Sequence, residues 1–152
     1  MKNFYRYPQR DAIKNYFPLP NEVFSLGLSA GEISVYSYLM YCENRATHQC
    51  YPSYKTIGKA IQLSANTVRK HVEGLKKKQL ITTEPTEIIT KNGRKRNGSL
   101  CYTIRPIEEA IRYRLEMQLL KAEGEQAQLK LENYDRKHPK KAVCNSSRRE
   151  AG

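Results

Sequence analysis

Between residues 64 and 70 the chain reads Ser-Ala-Asn-Thr-Val-Arg-Lys, and these side-chain types can read a nucleic acid. An asparagine amide matches adenine bidentately, an arginine fork matches guanine, and the methyl of an alanine or threonine packs on that of thymine. Ala65, Asn66, Thr67, Arg69 and Lys70 are therefore the candidates for base readout. Ser53, Tyr54, Lys55 and Ser64 have the types that hold phosphate oxygens, the more so near helix starts, where backbone amides assist. Lys91, Arg94, Lys95 and Arg96 form a second basic group suited to a flanking backbone or a minor groove.

The charge distribution agrees with that chemistry. The 152 residues carry 27 Lys and Arg against 15 Asp and Glu, a net +12, which points to a polyanionic partner. Thirteen basic and five acidic side chains fall between residues 29 and 105, so that block holds +8. Residues 106–134 are −2 and residues 135–152 are +4. A basic membrane-surface helix is excluded by the negative sign of the long C-terminal segment. No apolar run is long enough for a transmembrane helix, and the opening segment lacks the apolar stretch of a secretion signal. Four cysteines in that setting (Cys42, Cys50, Cys101 and Cys144) predict free thiols in a reducing cytoplasm.

No glycine-rich nucleotide loop, paired-carboxylate site or histidine-based metal motif occurs in the chain. Catalysis, a cofactor and a small-molecule substrate are not expected. Cys42, His48 and Cys50 raise a zinc reading, but their spacing matches no compact Cys-x-x-Cys unit and a fourth ligand would come from afar. No metal is expected.

Reading bases requires a helix held at a fixed rotation. Ser29-Ala30-Gly31-Glu32 is a capping box, and Ile33, Tyr36, Leu39 and Met40 continue it at helical spacing, predicting a helix over 30–43. Residues 44–51 read as a polar loop. Ser53 caps a short helix carrying Ile57 and Ile61, and Ser64 caps a third over 65–78. There Val68, Val72 and Leu75 form one apolar stripe, leaving the candidate readout residues and Glu73 on the other face. Short helices with a tight turn before the last make a helix-turn-helix. Leu80–Thr83, Glu87–Thr90 and Ser99–Ile104 are strand-like, and the two Asn-Gly pairs in Lys91–Gly98 predict a hairpin with a basic tip, in the position of a wing. Lys76-Lys77-Lys78 reads as compensation of the helix dipole, and His71 as a surface or phosphate-proximal residue.

From Pro106, a favoured first helical residue, residues 107–134 read as a helix interrupted by Gly124. Ile107, Ile111, Leu115, Leu119, Ala122 and Leu129 fall near one face, spaced closer to four than to the alternating three and four of a coiled coil. That face either packs back onto the first helix or forms a homodimer; a dimer would favour half-sites roughly 34–36 Å apart.

The run Pro52–Val72, with Ile57, Gly58, Ile61, Gln62, Leu63, Ser64, Thr67 and Val68 in place, resembles the helix-turn-helix core of winged-helix DNA-binding proteins. Leu75–Ile81 is similar to that family's passage from recognition helix into first wing strand. Phe17–Leu28 joined to Ser29–Glu32 resembles small helix-turn-helix proteins and the N-terminal domain of replication initiator protein A of Gram-positive bacteria and their mobile elements. The family often has glycine, in a left-handed conformation, where this chain has Gln62, a conformation glutamine adopts at a steric cost.

The expectation is a mainly α chain with a small β-hairpin: an extended arm at 1–20, a winged helix-turn-helix at 21–105, a long C-terminal helix at 106–134 and a basic disordered tail at 135–152. The leading function is sequence-specific binding of double-stranded DNA by a cytoplasmic transcriptional regulator, with the recognition helix at about 64–78 in the major groove and the wing at 91–98 on the backbone or minor groove. A replication-initiation or maintenance role on a plasmid or integrative element, and a winged-helix protein-interaction module, are the alternatives.

Overall fold

Three serine hydroxyls start the three short helices. In the computed structural model, which describes residues 16–139, Ser29 Oγ accepts from the Glu32 amide at 3.2 Å while the Glu32 carboxylate accepts from the Ser29 amide at 2.7 Å. This capping box opens α1, Ala30–Cys42. Ser53 caps α2, Tyr54–Ile61, and Ser64 caps α3, Ala65–Lys77. In both, the capping hydroxyl also lies against a threonine hydroxyl three residues on, at 2.9 Å for Thr56 and 2.8 Å for Thr67. Between α2 and α3 the chain turns at Gln62, which is left-handed at φ 59 and ψ 43, and the Leu63 amide closes the turn on the Gly58 carbonyl at 2.9 Å. Glutamine thus adopts the conformation that the family's glycine would supply without strain.

The helices close on one core. Val35, Tyr36 and Leu39 of α1, Ile57 of α2 and Val68, Val72 and Leu75 of α3 are buried together with Leu80, Ile81, Tyr102 and Ile104. Ahead of α1, a single 3-10 turn, Asn21–Phe24, seats Val23 in this core and leaves Phe24 75% exposed. Of the expected aromatic arm, Phe17 lies 6.0 Å from the ring of Tyr41 and Leu19 packs on the core. Residues 1–15 of that arm, and the tail from residue 140, lie outside the described residues.

Five short strands follow the chain order: β1, Gln49–Cys50; β2, Ile81–Glu84; β3, Glu87–Ile89; β4, Lys95–Asn97; and β5, Cys101–Ile104. β5 is the centre of an antiparallel three-stranded sheet in the order β1-β5-β2, while β3 and β4 pair separately. β1 corrects the loop expected over 44–51, since Gln49 faces Thr103 and Cys50 faces Tyr102. The wing is one hairpin with a defect. Glu84 pairs with Cys101 and Glu87 with Asn97, so two residues on one strand oppose three (Gly98, Ser99 and Leu100) on the other. This is a β-bulge, bridged by the Gly98 amide on the Thr86 carbonyl at 2.7 Å and by the Thr86 hydroxyl on the Ser99 carbonyl.

The Asn97-Gly98 pair is therefore ladder and bulge, not turn. The reversal occurs once, where the Gly93 amide bonds to the Thr90 carbonyl at 2.8 Å and only Gly93 has positive φ, at 71. A two-residue type I′ turn needs two positive φ values. This loop instead uses three residues, with glycine in the left-handed position. Three helices followed by this hairpin form the expected winged arrangement.

Helix α4, Ile107–Lys137, begins against the core with Ala110 buried and Ile107 and Ile111 partly covered. It passes Gly124 without a break and continues three residues into the segment expected to be tail. Contacts divide the chain between Arg114 and Leu115. Among the described residues, no helix is long and apolar enough to cross a membrane.

Candidate nucleic-acid interface

The rotation of α3 is set by Val68, Val72 and Leu75, each with no exposed area. Residues on the remaining face are open as a consequence. Asn66, Arg69 and Lys70 are exposed, and Ala65 and Thr67 are half-buried. Among the described residues, Asn66, Arg69 and Lys70 have no hydrogen-bond or ion-pair partner, so their donors are free. Glu73, the one acid on this face, is engaged by Lys76 at 3.1 Å. The Thr67 hydroxyl is engaged by Ser64, which leaves one hydroxyl proton of the pair for another acceptor. Lys55 and Ser64 are exposed, and Ser53 and Tyr54 are half-buried, at the starts of α2 and α3.

What fixes α3 against α1 was not read from the sequence. Glu32 closes the α1 capping box and also accepts from Lys78 Nζ at 2.6 Å; the same ammonium donates to the Gly27 carbonyl at 3.0 Å. Burial alone would raise the Glu32 carboxyl, but the hydrogen bonds and charge of Lys78 and the Ser29 donors outweigh it and hold the group below its ordinary range. Gly74 makes the approach feasible, because a Cβ there would lie 2.1 Å from Glu32 Oε1. One turn away, a Cβ on Gly31 would lie 2.2 Å from His71 Nε2. His71 is thus a half-buried packing residue seated on α1, which corrects the surface or phosphate-proximal expectation. Lys78 is a tertiary anchor, unlike its neighbours Lys76 and Lys77. Gly74 in the middle of a helical pattern and Gly31 in a first turn were the available signals of close approach.

In the wing the four basic residues do not form one tip. Lys91 and Arg94 flank the turn, whereas Lys95 and Arg96 belong to β4, where neighbouring side chains point to opposite faces. Arg96 pairs with Ile88 and Lys95 with Ile89. Lys95 also meets Glu87 at 3.1 Å, both largely exposed, a contact worth little in water. Lys91, Arg94 and Arg96 are exposed and have no acidic partner within 4 Å among the described residues.

Cys42, Cys50 and Cys101 carry free thiols. Burial, with Cys42 and Glu43 adding to it, pushes the Cys50 thiol up to about 12, far from the range of a reactive thiolate. Among the described residues, no three His, Cys, Asp or Glu side chains are grouped to hold a metal ion.

One family match agrees with the local geometry. Residues 26–81 match a family described as a helix-turn-helix domain, a span that covers α1, α2 and α3 and ends on the first residue of β2. No curated protein matches the chain. A structure from Methanosarcina mazei Go1, titled a possible transcriptional regulator, is 15% identical, with a TM-score of 0.44 over 74% of this chain and 83% of that one. The Staphylococcus aureus MepR–DNA complex is 16% identical, with a TM-score of 0.35 over 76% of this chain and 82% of that one.

Proposed function

We propose that this chain is a non-catalytic, cytoplasmic transcriptional regulator that binds double-stranded DNA at a specific sequence. The observation that carries this reading is the exposed, unpartnered row Asn66, Arg69 and Lys70 on a helix whose rotation is fixed by a fully buried stripe. In this reading α3 enters the major groove from its N-terminal end. Asn66 reads adenine and Arg69 guanine, Ala65 and Thr67 offer methyl groups to thymine, and Lys70 supplements them. Ser53, Tyr54, Lys55 and Ser64 hold phosphates beside two helix starts. Lys91, Arg94 and Arg96 of the wing hold the flanking backbone, and Lys95 joins them on releasing Glu87.

Selection from random duplexes followed by salt titration tests this proposal. One enriched motif is expected. With about six phosphates contacted, affinity should fall by roughly a thousandfold between 50 and 200 mM salt. Asn66→Ala and Arg69→Ala should each cost about 1–3 kcal/mol and relax the preference at one base position. No enriched motif would remove the specificity claim, and weak affinity indifferent to salt would favour a protein-binding role for the same surface. Enrichment confined to repeated sites at an origin of replication would favour the replication role.

A further inference from the structure

From Leu115 to Lys137 every side chain of α4 is exposed. A helix in a protein draws most of its stability from packing one face rather than from propensity. Two stripes here alternate at three and four residues. Leu115, Leu119, Ala122, Gln126, Leu129 and Asn133 form one, broken twice by amides. Met117, Leu120, Gly124, Ala127, Leu131 and Tyr134 form the other, with no polar interruption. Leu120, Leu131 and Tyr134 are 60%, 64% and 62% exposed, so nothing among the described residues covers this second stripe. The set expected to be spaced nearer four shares Leu115, Leu119, Ala122 and Leu129 with the first stripe, and its other two members, Ile107 and Ile111, are taken by the core.

We propose that the Met117–Tyr134 stripe docks against the same stripe of a second copy of this chain, running antiparallel. The flanking charges select that occupant. Glu116, Glu123, Lys130 and Lys137 follow one another at seven-residue intervals along one border of the stripe, acids in the first half and bases in the second. Reversing a second copy about the midpoint between Glu125 and Gln126 sets Glu116 against the partner's Lys137 and Glu123 against the partner's Lys130, and symmetry doubles both pairs. The same alignment layers Met117 on the partner's Tyr134, Leu120 on the partner's Leu131, and Gly124 on the partner's Ala127. The small central layer lets the axes approach, and the opposed helix dipoles attract. A parallel copy would leave Glu123 facing the partner's Gln128 and Lys137 without an acid, so it satisfies fewer charges. The dimer does not depend on DNA reading, so either proposal can fail alone.

Sedimentation equilibrium of the full chain, without DNA, tests it. The wild type should sediment as a dimer, and Leu120→Glu with Leu131→Glu as a monomer that keeps the thermal transition of its helix-turn-helix. Leu119→Glu with Leu129→Glu, on the other stripe, should stay dimeric. Glu123→Lys or Lys130→Glu alone should weaken association by about tenfold through paired like charges, and the two together should restore it. A monomeric wild type, dissociation by the Leu119 and Leu129 changes, or failure of the double swap to restore association would each overturn the proposal.

Discussion

Replacing Glu32 by glutamine removes one charge and almost no volume. Its side chain is 10% exposed and that of its partner Lys78 is 35% exposed. Exposed ion pairs contribute at most about 1 kcal/mol, whereas removing one partner from a fully buried pair costs about 3–5 kcal/mol. Lys78 reaches solvent, so the loss belongs toward the lower figure, at about 1.5 kcal/mol. Glutamine still serves a capping box, so Glu32→Gln isolates the charge. Glu32→Ala also removes the box and should cost about 1 kcal/mol more. The pH dependence separates this account from simple packing loss. The Glu32 carboxyl is held below its ordinary value of 4.5, so its contribution is complete above that value. It disappears as pH falls through the lowered value in the folded state. Urea titrations across this range should therefore show wild type and Glu32→Gln converging in acid and separating near neutrality. An equal gap at every pH, or no gap at pH 7, would refute the ion pair as the fastener of α1 to α3.

Gln62→Val should destabilise by more than about 1 kcal/mol in the same assay, because a β-branched residue resists a left-handed backbone; Gln62→Gly should not destabilise. Gly31→Ala should cost about 1–2 kcal/mol by driving a methyl into His71, and His71→Ala should recover part of that loss in a double-mutant cycle. Arg94→Gln with Arg96→Gln should weaken every duplex alike and lower the salt slope by about two in a binding titration; altered site preference would reassign the wing to base reading.

Helix starts were legible because a cap is a local device. Ser29, Ser53 and Ser64 each satisfy an amide three residues on, and no distant residue takes part. The orientation of α3 was legible for a related reason, since the spacing of Val68, Val72 and Leu75 determines which side chains remain outside. β1 was not legible, because two residues carry no periodicity and their ladder partners, Tyr102 and Thr103, are over fifty positions away. Nor could three consecutive lysines reveal that Lys78 alone meets Glu32, an encounter set by the crossing of two helices. The wing was legible as a hairpin but not in register. Two Asn-Gly pairs offered two reversals, and the ladder from Glu87 to Asn97 admits only the first.

The bulged hairpin has a consequence for handling this protein. β3 and β4 form a ribbon of two strands, each with one edge unpaired, and Ile88 and Ile89 are 55% and 69% exposed on it. Such an edge is a template for pairing with another chain. Glu87, Lys95 and Arg96 lie on this ladder and act as gatekeepers against strand-to-strand aggregation. Stripping those charges would create a self-associating surface, and Arg96→Gln removes one of them, so aggregation should be monitored before any loss of binding in that variant is credited to a missing phosphate contact.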